Sequence, residues 1–147
     1  MTRTQNEYDA ALQQARTGFG EGGIPIGAAL WRDGELLGAG RNRRMQRGSA
    51  ILHGEIDCLD DVGRLADYRD CTLYTTLSPC SMCAGAIALF QIPAVVIGEA
   101  RTFPGEIEFL RDRGVRVEVL DDPVAAELLS RFAAENPAAW SEDIGGR

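Results

Sequence analysis

The stretch that organises the chain is His53-Gly54-Glu55, followed later by Pro79-Cys80-Ser81-Met82-Cys83. One imidazole and two thiols are ligands that Zn²⁺ prefers, and His53 is the only histidine of the chain. Three protein ligands leave the fourth tetrahedral position open for water, which is typical of a catalytic site. Glu55 lies where its carboxylate could move protons between that water and a substrate. The pattern therefore predicts zinc ligands and a general acid–base at His53, Cys80, Cys83 and Glu55.

A zinc site that only holds the fold would need a fourth ligand, and the other cysteines are Cys58 and Cys71. Cys58 lies on the helix predicted after His53, on a face that points away from the histidine. Cys71 begins a strand whose other end leads into Cys80, so we expect it to lie far from the ion. Both are predicted to be small buried apolar residues. The residues thus favour an open site over a structural one.

Length and composition indicate an ordinary globular chain. Its 147 residues are 45% hydrophobic and 25% charged, which suits one domain over residues 1–147 with a single core. No run approaches the ~18 apolar residues that span a bilayer, and the N-terminus lacks a signal-peptide pattern. We therefore expect a cytoplasmic protein without a membrane partner. In that compartment, C-x-x-C beside a lone histidine favours reduced thiols and a metal over disulfides.

The charge balance bears on the class of substrate. The formal net charge is −7 and the sequence pI is about 4.7, whereas proteins that grip polynucleotides usually carry a basic patch. The one basic cluster is interpreted either as a solvated loop or as a local anion or subunit contact, and its members are Arg41, Arg43, Arg44 and Arg47. The overall charge favours a small, weakly charged substrate and no nucleic acid.

Helical and strand patterns alternate along the chain. Apolar residues at helical spacing predict a helix over 6–19, and Asp33-Gly34 between apolar runs predicts a hairpin of strands 26–31 and 36–40. The order favours one sheet with helices on both faces. The later predicted elements are a loop over 41–50, a helix over 53–64, a strand over 71–77, a buried helix over 80–90, a strand over 94–98, a helix over 106–113, a strand over 115–120, a helix over 123–135 and an irregular or short helical tail from 138.

Three longer stretches surround and follow the predicted zinc-ligand motifs: I-L-H-G-E-I at 51–56, T-T-L-S-P-C-S-M-C-A-G-A-I at 75–87 and W-S-E-D-I-G at 140–145. Together with the segments 22–27 and 40–50, they resemble the fungal-type cytosine deaminases of the cytidine deaminase-like superfamily. The H-x-E and P-C-x-x-C motifs are shared by zinc deaminases generally, so they do not specify the base. The resemblance implies an α/β fold, a three-layer α-β-α sandwich with a mixed five-stranded sheet. It also implies one Zn²⁺ per subunit, a small pyrimidine base as substrate and a homodimer.

The resemblance further implies a base-binding pocket beside the zinc. Asn42 would bind the O2 and ring-nitrogen edge of the base, and the backbone N–H of Gly54 would help to hold O2. Asp143 would hold the amino group from the C-terminal end of the chain. The residues that would shape or enclose the pocket are Ile26, Leu77, Ser78, Phe103 and Trp140.

We therefore expect the hydrolysis of cytosine, and of 5-substituted cytosines, to the corresponding uracil and ammonia. This reaction would be a step of pyrimidine salvage. Glu55 would take a proton from water, deliver it to N3 and move a second proton to the departing amine. Deaminases of isocytosine, guanine or adenine remain alternatives. A tRNA adenosine deaminase shares P-C-x-M-C-A-G-A, although a chain at −7 suits an anionic stem-loop poorly. A zinc-stabilised binding module is the alternative without catalysis, and it would not need Glu55.

Overall fold

One five-stranded sheet forms the centre of the computed structural model, which describes residues 2–146. The strand bounds are β1 Gly27–Arg32, β2 Glu35–Arg41, β3 Cys71–Leu77, β4 Ala94–Glu99 and β5 Arg116–Val119. The strands lie in the order β2-β1-β3-β4-β5. The first three are antiparallel neighbours, whereas β4 pairs parallel with both β3 and β5. The predicted mixed five-stranded sheet is confirmed.

Helices cover both faces of this sheet, as the three-layer prediction requires. The helix bounds are α1 Arg3–Gly20, α2 Arg44–Arg47, α3 Gly54–Val62, α4 Ser81–Leu89, α5 Ile107–Asp112, α6 Pro123–Glu135 and α7 Pro137–Asp143. One apolar cluster joins α3, α4 and α5 to one face through residues such as Cys58, Ile87 and Leu110, and a second joins α1 and α6 to the other face.

Local sequence explains where these helices begin. The first helix starts earlier than predicted because the Thr2 side chain accepts the Gln5 backbone N–H while the Gln5 side chain returns to Thr2, a capping box. The third helix lies close against β2, since a Cβ at Gly40 would collide with the backbone of Asp57 and Cys58. That close approach sets the position of the helix start that carries the predicted metal ligand.

Helix α4 differs from its prediction. Its small, apolar sequence predicts a buried helix, and this prediction is wrong: the buried residues are Cys83, Ala84 and Ile87, while Leu89 is 73% exposed and the following Phe90 is 40% exposed. The reason is that α4 lies on one face of the sheet, and this chain covers only the inward side of the helix. The outward side leaves large apolar side chains on the surface.

Two further segments gain structure that periodicity did not define. The loop predicted over 41–50 contains the one-turn helix α2, and the tail contains α7, the short-helix form of its prediction. Within the described residues, 2–146, no helix has both the length and the apolar character needed to cross a bilayer.

Candidate active site

Two helix starts bring the predicted zinc ligands together. His53 is the N-cap of α3 and Cys80 is the N-cap of α4, which follows β3 after a short connection; Cys83 lies one turn into α4. The ligand atoms of the three residues all lie within 4.8 Å of one another, and Cys80 Sγ is 3.4 Å from His53 Nδ1. The predicted ligand set is therefore assembled in space without a contribution from Cys58, whose buried thiol donates to the Gly38 carbonyl at 3.5 Å.

The donor chemistry fits a zinc ion. A hydrogen bond from Cys83 lowers the pKa of Cys80 to about 4, against the opposing effect of burial and with help from His53. The same Cys80 hydrogen bond, together with burial, raises the pKa of Cys83. A thiolate is the form of cysteine that binds metal, and an anionic sulfur beside an imidazole and a second thiol suits a divalent ion. Three such ligands leave one coordination position for a small molecule.

Glu55 occupies the first turn of α3 and is only 3% exposed. Burial raises the pKa of its carboxyl to about 7, and the negative charge of Cys80 acts in the same direction. A carboxyl group that titrates near neutrality can both accept and release a proton under physiological conditions. The position and the pKa of Glu55 thus suit a general acid–base.

A narrow cavity opens beside these residues. Its wall combines metal ligands, a general acid–base candidate and apolar side chains, and is formed by Ile26, His53, Glu55, Leu77, Ser78, Cys80, Phe103, Asp143 and Ile144.

Most of the predicted base-binding residues line this cavity, but Asn42, Gly54 and Trp140 do not. Asn42 is fully buried, and its Nδ2 donates to both carboxylate oxygens of Asp143 at 3.2 Å. Trp140 is partly buried and packs against the apolar cluster that includes Ile26 and Leu77, behind the cavity wall. Gly54 is buried at the start of α3.

Asp143 lies at the centre of a buried polar network. Its side chain is 1% exposed, and its Oδ1 contacts His53 Nε2 at 3.2 Å and accepts from Arg44 Nε at 2.9 Å. Burial alone would raise the pKa of Asp143, but the bonds from His53, Arg44 and Asn42 outweigh it and lower the pKa. Burial likewise opposes ionisation of His53, yet Asp143 and Cys80 raise its pKa to about 10. A carboxylate on Nε2 orients the ring with Nδ1 toward the cysteines, as is common for metal-binding histidines.

Sequence reasoning misread the basic cluster. The solvated-loop interpretation is wrong because three of the arginines form ion pairs within the chain, which also leaves them less available for an external anion. Arg41 pairs with Glu21 at 2.9 Å and Arg43 with Asp57 at 2.9 Å. Arg44 pairs with both Glu142 and Asp143. Charge composition could not find these partners, since they lie in distant segments.

Two other residues were missed. Ile144 lines the cavity and follows Asp143 in the W-S-E-D-I-G stretch, so that stretch carried a signal for it. Glu99, fully buried at the end of β4, accepts the backbone N–H groups of Arg101 at 2.7 Å and Thr102 at 2.9 Å. These bonds anchor the loop that brings Phe103 to the cavity. No motif marks such a carboxylate.

Comparison with known proteins agrees with this geometry. Residues 1–99 match the family model of the cytidine and deoxycytidylate deaminase zinc-binding region. The chain is 49% identical over 138 residues to the cytosine deaminase of Candida albicans, covering 92% of each protein. It is 36% identical over 103 residues to a tRNA-specific adenosine deaminase of Streptococcus pyogenes, covering 68% of this chain and 60% of that protein.

Solved structures give the same fold. A chain from a study of tRNA:A34 deaminases superposes with a TM-score of 0.73 at 26% identity, covering 85% of this chain and 99% of that chain. The guanine deaminase of Nitrosomonas europaea superposes with a TM-score of 0.75 at 24% identity, covering 87% of this chain and 83% of that chain, and this likeness concerns the fold alone. The family match, the near full-length similarity and the assembled ligand set agree. The chain belongs to the zinc-binding family of cytidine and deoxycytidylate deaminases.

Proposed function

We propose that this protein is a single-domain, zinc-dependent cytosine deaminase that converts cytosine and water to uracil and ammonia. The observation that supports it most is a small cavity in which Glu55, the metal-binding His53 and Cys80, and Asp143 all take part. The 49% identity to the Candida albicans cytosine deaminase supports the choice of base.

The reaction needs an activated water and a proton carrier. Bound at His53, Cys80 and Cys83, zinc would lower the pKa of water from 15.7 towards roughly 7 and so make it nucleophilic near neutral pH. Glu55 accepts the proton that water loses as its oxygen bonds to C4 of cytosine, and delivers it to N3. Glu55 then takes the second proton from the hydroxyl now bonded to C4 and passes it to the exocyclic nitrogen; the C4–N bond breaks, the C4 carbonyl forms, and ammonia leaves uracil. Burial of Glu55 keeps these transfers away from bulk solvent.

The other wall of the cavity holds the base. The Asp143 carboxylate accepts from the exocyclic amine, while the Asn42 amide and the Gly54 N–H bind the O2 edge. Asn42 already donates to Asp143, so it shares or exchanges that bond when the base enters. The side chains of Ile26, Leu77 and Phe103 and the backbone of Ser78 enclose the ring. Trp140 packs behind these residues.

A free base fits this site better than a nucleoside or an RNA. Asp143 and Ile144, from the C-terminal segment, line the cavity together with Glu55 and Phe103, and this enclosure disfavours a base that carries a ribose. The net charge of −7 opposes an anionic stem-loop, and Arg41, Arg43 and Arg44 are engaged by carboxylates of the chain. These features disfavour the tRNA adenosine deaminase alternative.

We also propose a homodimer in the cytoplasm that serves pyrimidine salvage. The exposed apolar surface of α4, with Leu89 and with Phe90 stacked on Tyr68 at 5.4 Å between ring centroids, offers an interface for a second copy. Sedimentation velocity should show a dimer for the wild type and a monomer for Leu89→Glu. A monomeric wild type would contradict the proposed homodimer.

The proposed compartment follows from the metal site. The thiol ligands must stay reduced to hold zinc, which suits the cytoplasm.

Ammonia release from zinc-loaded protein tests the proposed activity. The substrates are cytosine, 5-methylcytosine, isocytosine, cytidine, adenine and guanine, with Glu55→Gln as the inactive control. We expect turnover of cytosine and of its 5-methyl form, and none of cytidine. Turnover of a purine or isocytosine without cytosine would overturn the choice of base. Zinc-loaded protein that is silent on all six would favour the binding module.

A further inference from the structure

We infer that Arg44 is a positioning residue that fixes the Asp143 carboxylate in the cavity wall by bridging Glu142 and Asp143 to the segment that leads to His53. This inference rests on the proposed function, in which Asp143 binds the base: it states which residue orients the Asp143 carboxylate for that contact. Arg44 itself does not line the cavity.

The Arg44 guanidinium contacts three points at once. Its Nε donates to Asp143 Oδ1 at 2.9 Å, its Nη1 to Glu142 Oε1 at 2.8 Å and its Nη2 to the Ala50 carbonyl at 3.3 Å. The side chain is only 14% exposed although it carries a permanent charge. The contacts join the last turn of α7 to the stretch just before the metal ligand His53, across nearly one hundred residues of sequence. Arg44 is thus a cross-link between the two ends of the site.

The bonds are distributed unequally over the Asp143 carboxylate. Oδ1 takes Arg44, His53 and Asn42, whereas Oδ2 has Asn42 as its one partner among the described residues. A carboxylate oxygen can accept two hydrogen bonds, so Oδ2 keeps capacity for an N–H group of the base. Arg44 holds Oδ1 and thereby fixes the rotation of the carboxyl group.

The same residue orients the second polar contact to the base. The Arg44 backbone N–H donates to Asn42 Oδ1 at 2.9 Å, which leaves Asn42 Nδ2 directed at Asp143. Only a planar guanidinium presents donors in a fork that can span two neighbouring carboxylates and a carbonyl. Lysine could reach one of these groups at a time. The exposed pair with Glu142 is worth little by itself, so the buried bond to Asp143 carries the effect.

Kinetic coupling tests whether Arg44 acts through Asp143. In zinc-loaded protein we expect Arg44→Met and Asp143→Asn each to lower kcat/KM for cytosine on the order of 10–100-fold. The double variant should be no worse than Asp143→Asn alone, since residues of one unit do not add. Arg44→Lys should recover part of the loss. Losses that multiply in the double variant would overturn the inference.

Arg41→Met is the matched control. Arg41 is 15% exposed and pairs with Glu21, so it is partly buried and paired like Arg44, but it pairs with no residue of the cavity wall. Its kcat/KM should stay within about twofold of wild type. An equal loss of kcat/KM in Arg41→Met would mean that removing any ion pair near this segment impairs turnover. That result would contradict a positioning role of Arg44.

Amide hydrogen exchange of residues 137–146 gives a readout that does not depend on turnover. Without the cross-link, exchange in α7 should quicken by about tenfold in Arg44→Met, with and without zinc, and stay unchanged in Arg41→Met. Equal exchange in wild type and Arg44→Met would contradict the inference. A wild type that does not deaminate cytosine but shows the exchange difference would overturn the proposed function while leaving the cross-link established.

Discussion

The two walls of the cavity are built in different ways. The metal wall is formed by His53, Glu55 and Cys80, with Cys83 as the third ligand; it comes from two helix starts, and its ligands occupy N-caps or first turns. The C-terminal wall is formed by Phe103, Asp143 and Ile144 and depends on segments far apart in sequence; the bond from Asn42 that holds Asp143 spans 101 residues. The comparison teaches that local motifs encode the chemistry, whereas long-range contacts shape the space for the substrate.

The sharpest break of the metal wall is Cys83→Ser. We expect zinc to be lost, turnover to fall below detection and the thermal midpoint to drop, because metal binding contributes to folding. Zinc content, ammonia release and thermal melting measure the three effects. Cys58→Ala is the control, because Cys58 is buried outside the ligand group and its loss should leave zinc in place. Full zinc content in Cys83→Ser would contradict the assignment of the ligand.

Glu55→Gln separates chemistry from metal binding within the same wall. Because the amide cannot carry a proton, kcat should fall by about 10²–10⁴-fold while zinc stays bound. Steady-state kinetics beside zinc analysis gives both numbers. Asp60→Asn, on the exposed side of the same helix, should leave kcat unchanged. A near wild-type rate for Glu55→Gln would remove Glu55 from the mechanism.

The C-terminal wall should respond less. Asp143→Asn keeps the size of the side chain but removes its charge, so we expect kcat/KM for cytosine to fall on the order of 10–100-fold. Zinc should remain bound through the three ligands. The neighbouring Glu142→Gln, at a side chain that is 71% exposed, should cost less than about threefold. Equal effects of the two changes would show that charge near the site, and not the position of Asp143, matters.

Apolar enclosure should have a smaller effect still. Phe103→Ala removes contacts from the cavity wall without touching a polar group, and a loss of about 1 kcal/mol corresponds to a rise in KM of roughly fivefold. The value of kcat should change by less than about twofold, because the reacting groups stay in place. Phe109→Ala, at an equally half-buried ring in another cluster, should leave KM unchanged. Michaelis–Menten curves of both variants decide the point.

The smallest expected effect concerns the ion pair of Glu21 and Arg41, outside both walls. The hydrogen bond from Arg41 is the main cause that lowers the pKa of Glu21 from 4.5 to about 2. A depressed pKa stabilises the folded state above pH 4.5, and this contribution disappears as the pH falls towards 2. Glu21→Gln should therefore lower the thermal midpoint by about 2 °C at pH 7, a small effect because the carboxylate is exposed. At pH 3 the decrease should be smaller, because the ion pair is then partly lost in the wild type as well. A difference in thermal midpoint between wild type and Glu21→Gln that grows as the pH falls would contradict this prediction.

The sequence was sufficient to predict the sheet and the metal wall. Strand β3 and helix α6 have the predicted bounds, because β-branched content and the Asp122 cap with Pro123 are local signals. The zinc ligands were predictable because their spacing reflects two helix starts. The exposed side of helix α4 was not predictable, since an apolar composition cannot distinguish a helix buried in its own chain from one with an exposed side.

The C-terminal wall could be proposed only by resemblance. Periodicity gave no reason to place Asp143 beside Asn42, and a charged residue near a chain end is usually solvated. The roles of Arg44 and Glu99 could not be predicted from the sequence, because they depend on partners that the fold brings together. Long-range polar networks of this kind leave no pattern in a single sequence.

The most direct test is a zinc titration of metal-free protein in which uracil formation from cytosine is followed at each addition. The proposed site predicts that the rate rises linearly and breaks at one zinc per chain, with cytidine inert throughout. Turnover in the metal-free protein, or full zinc occupancy without any uracil, would contradict the proposal that the two walls form one cytosine deaminase site.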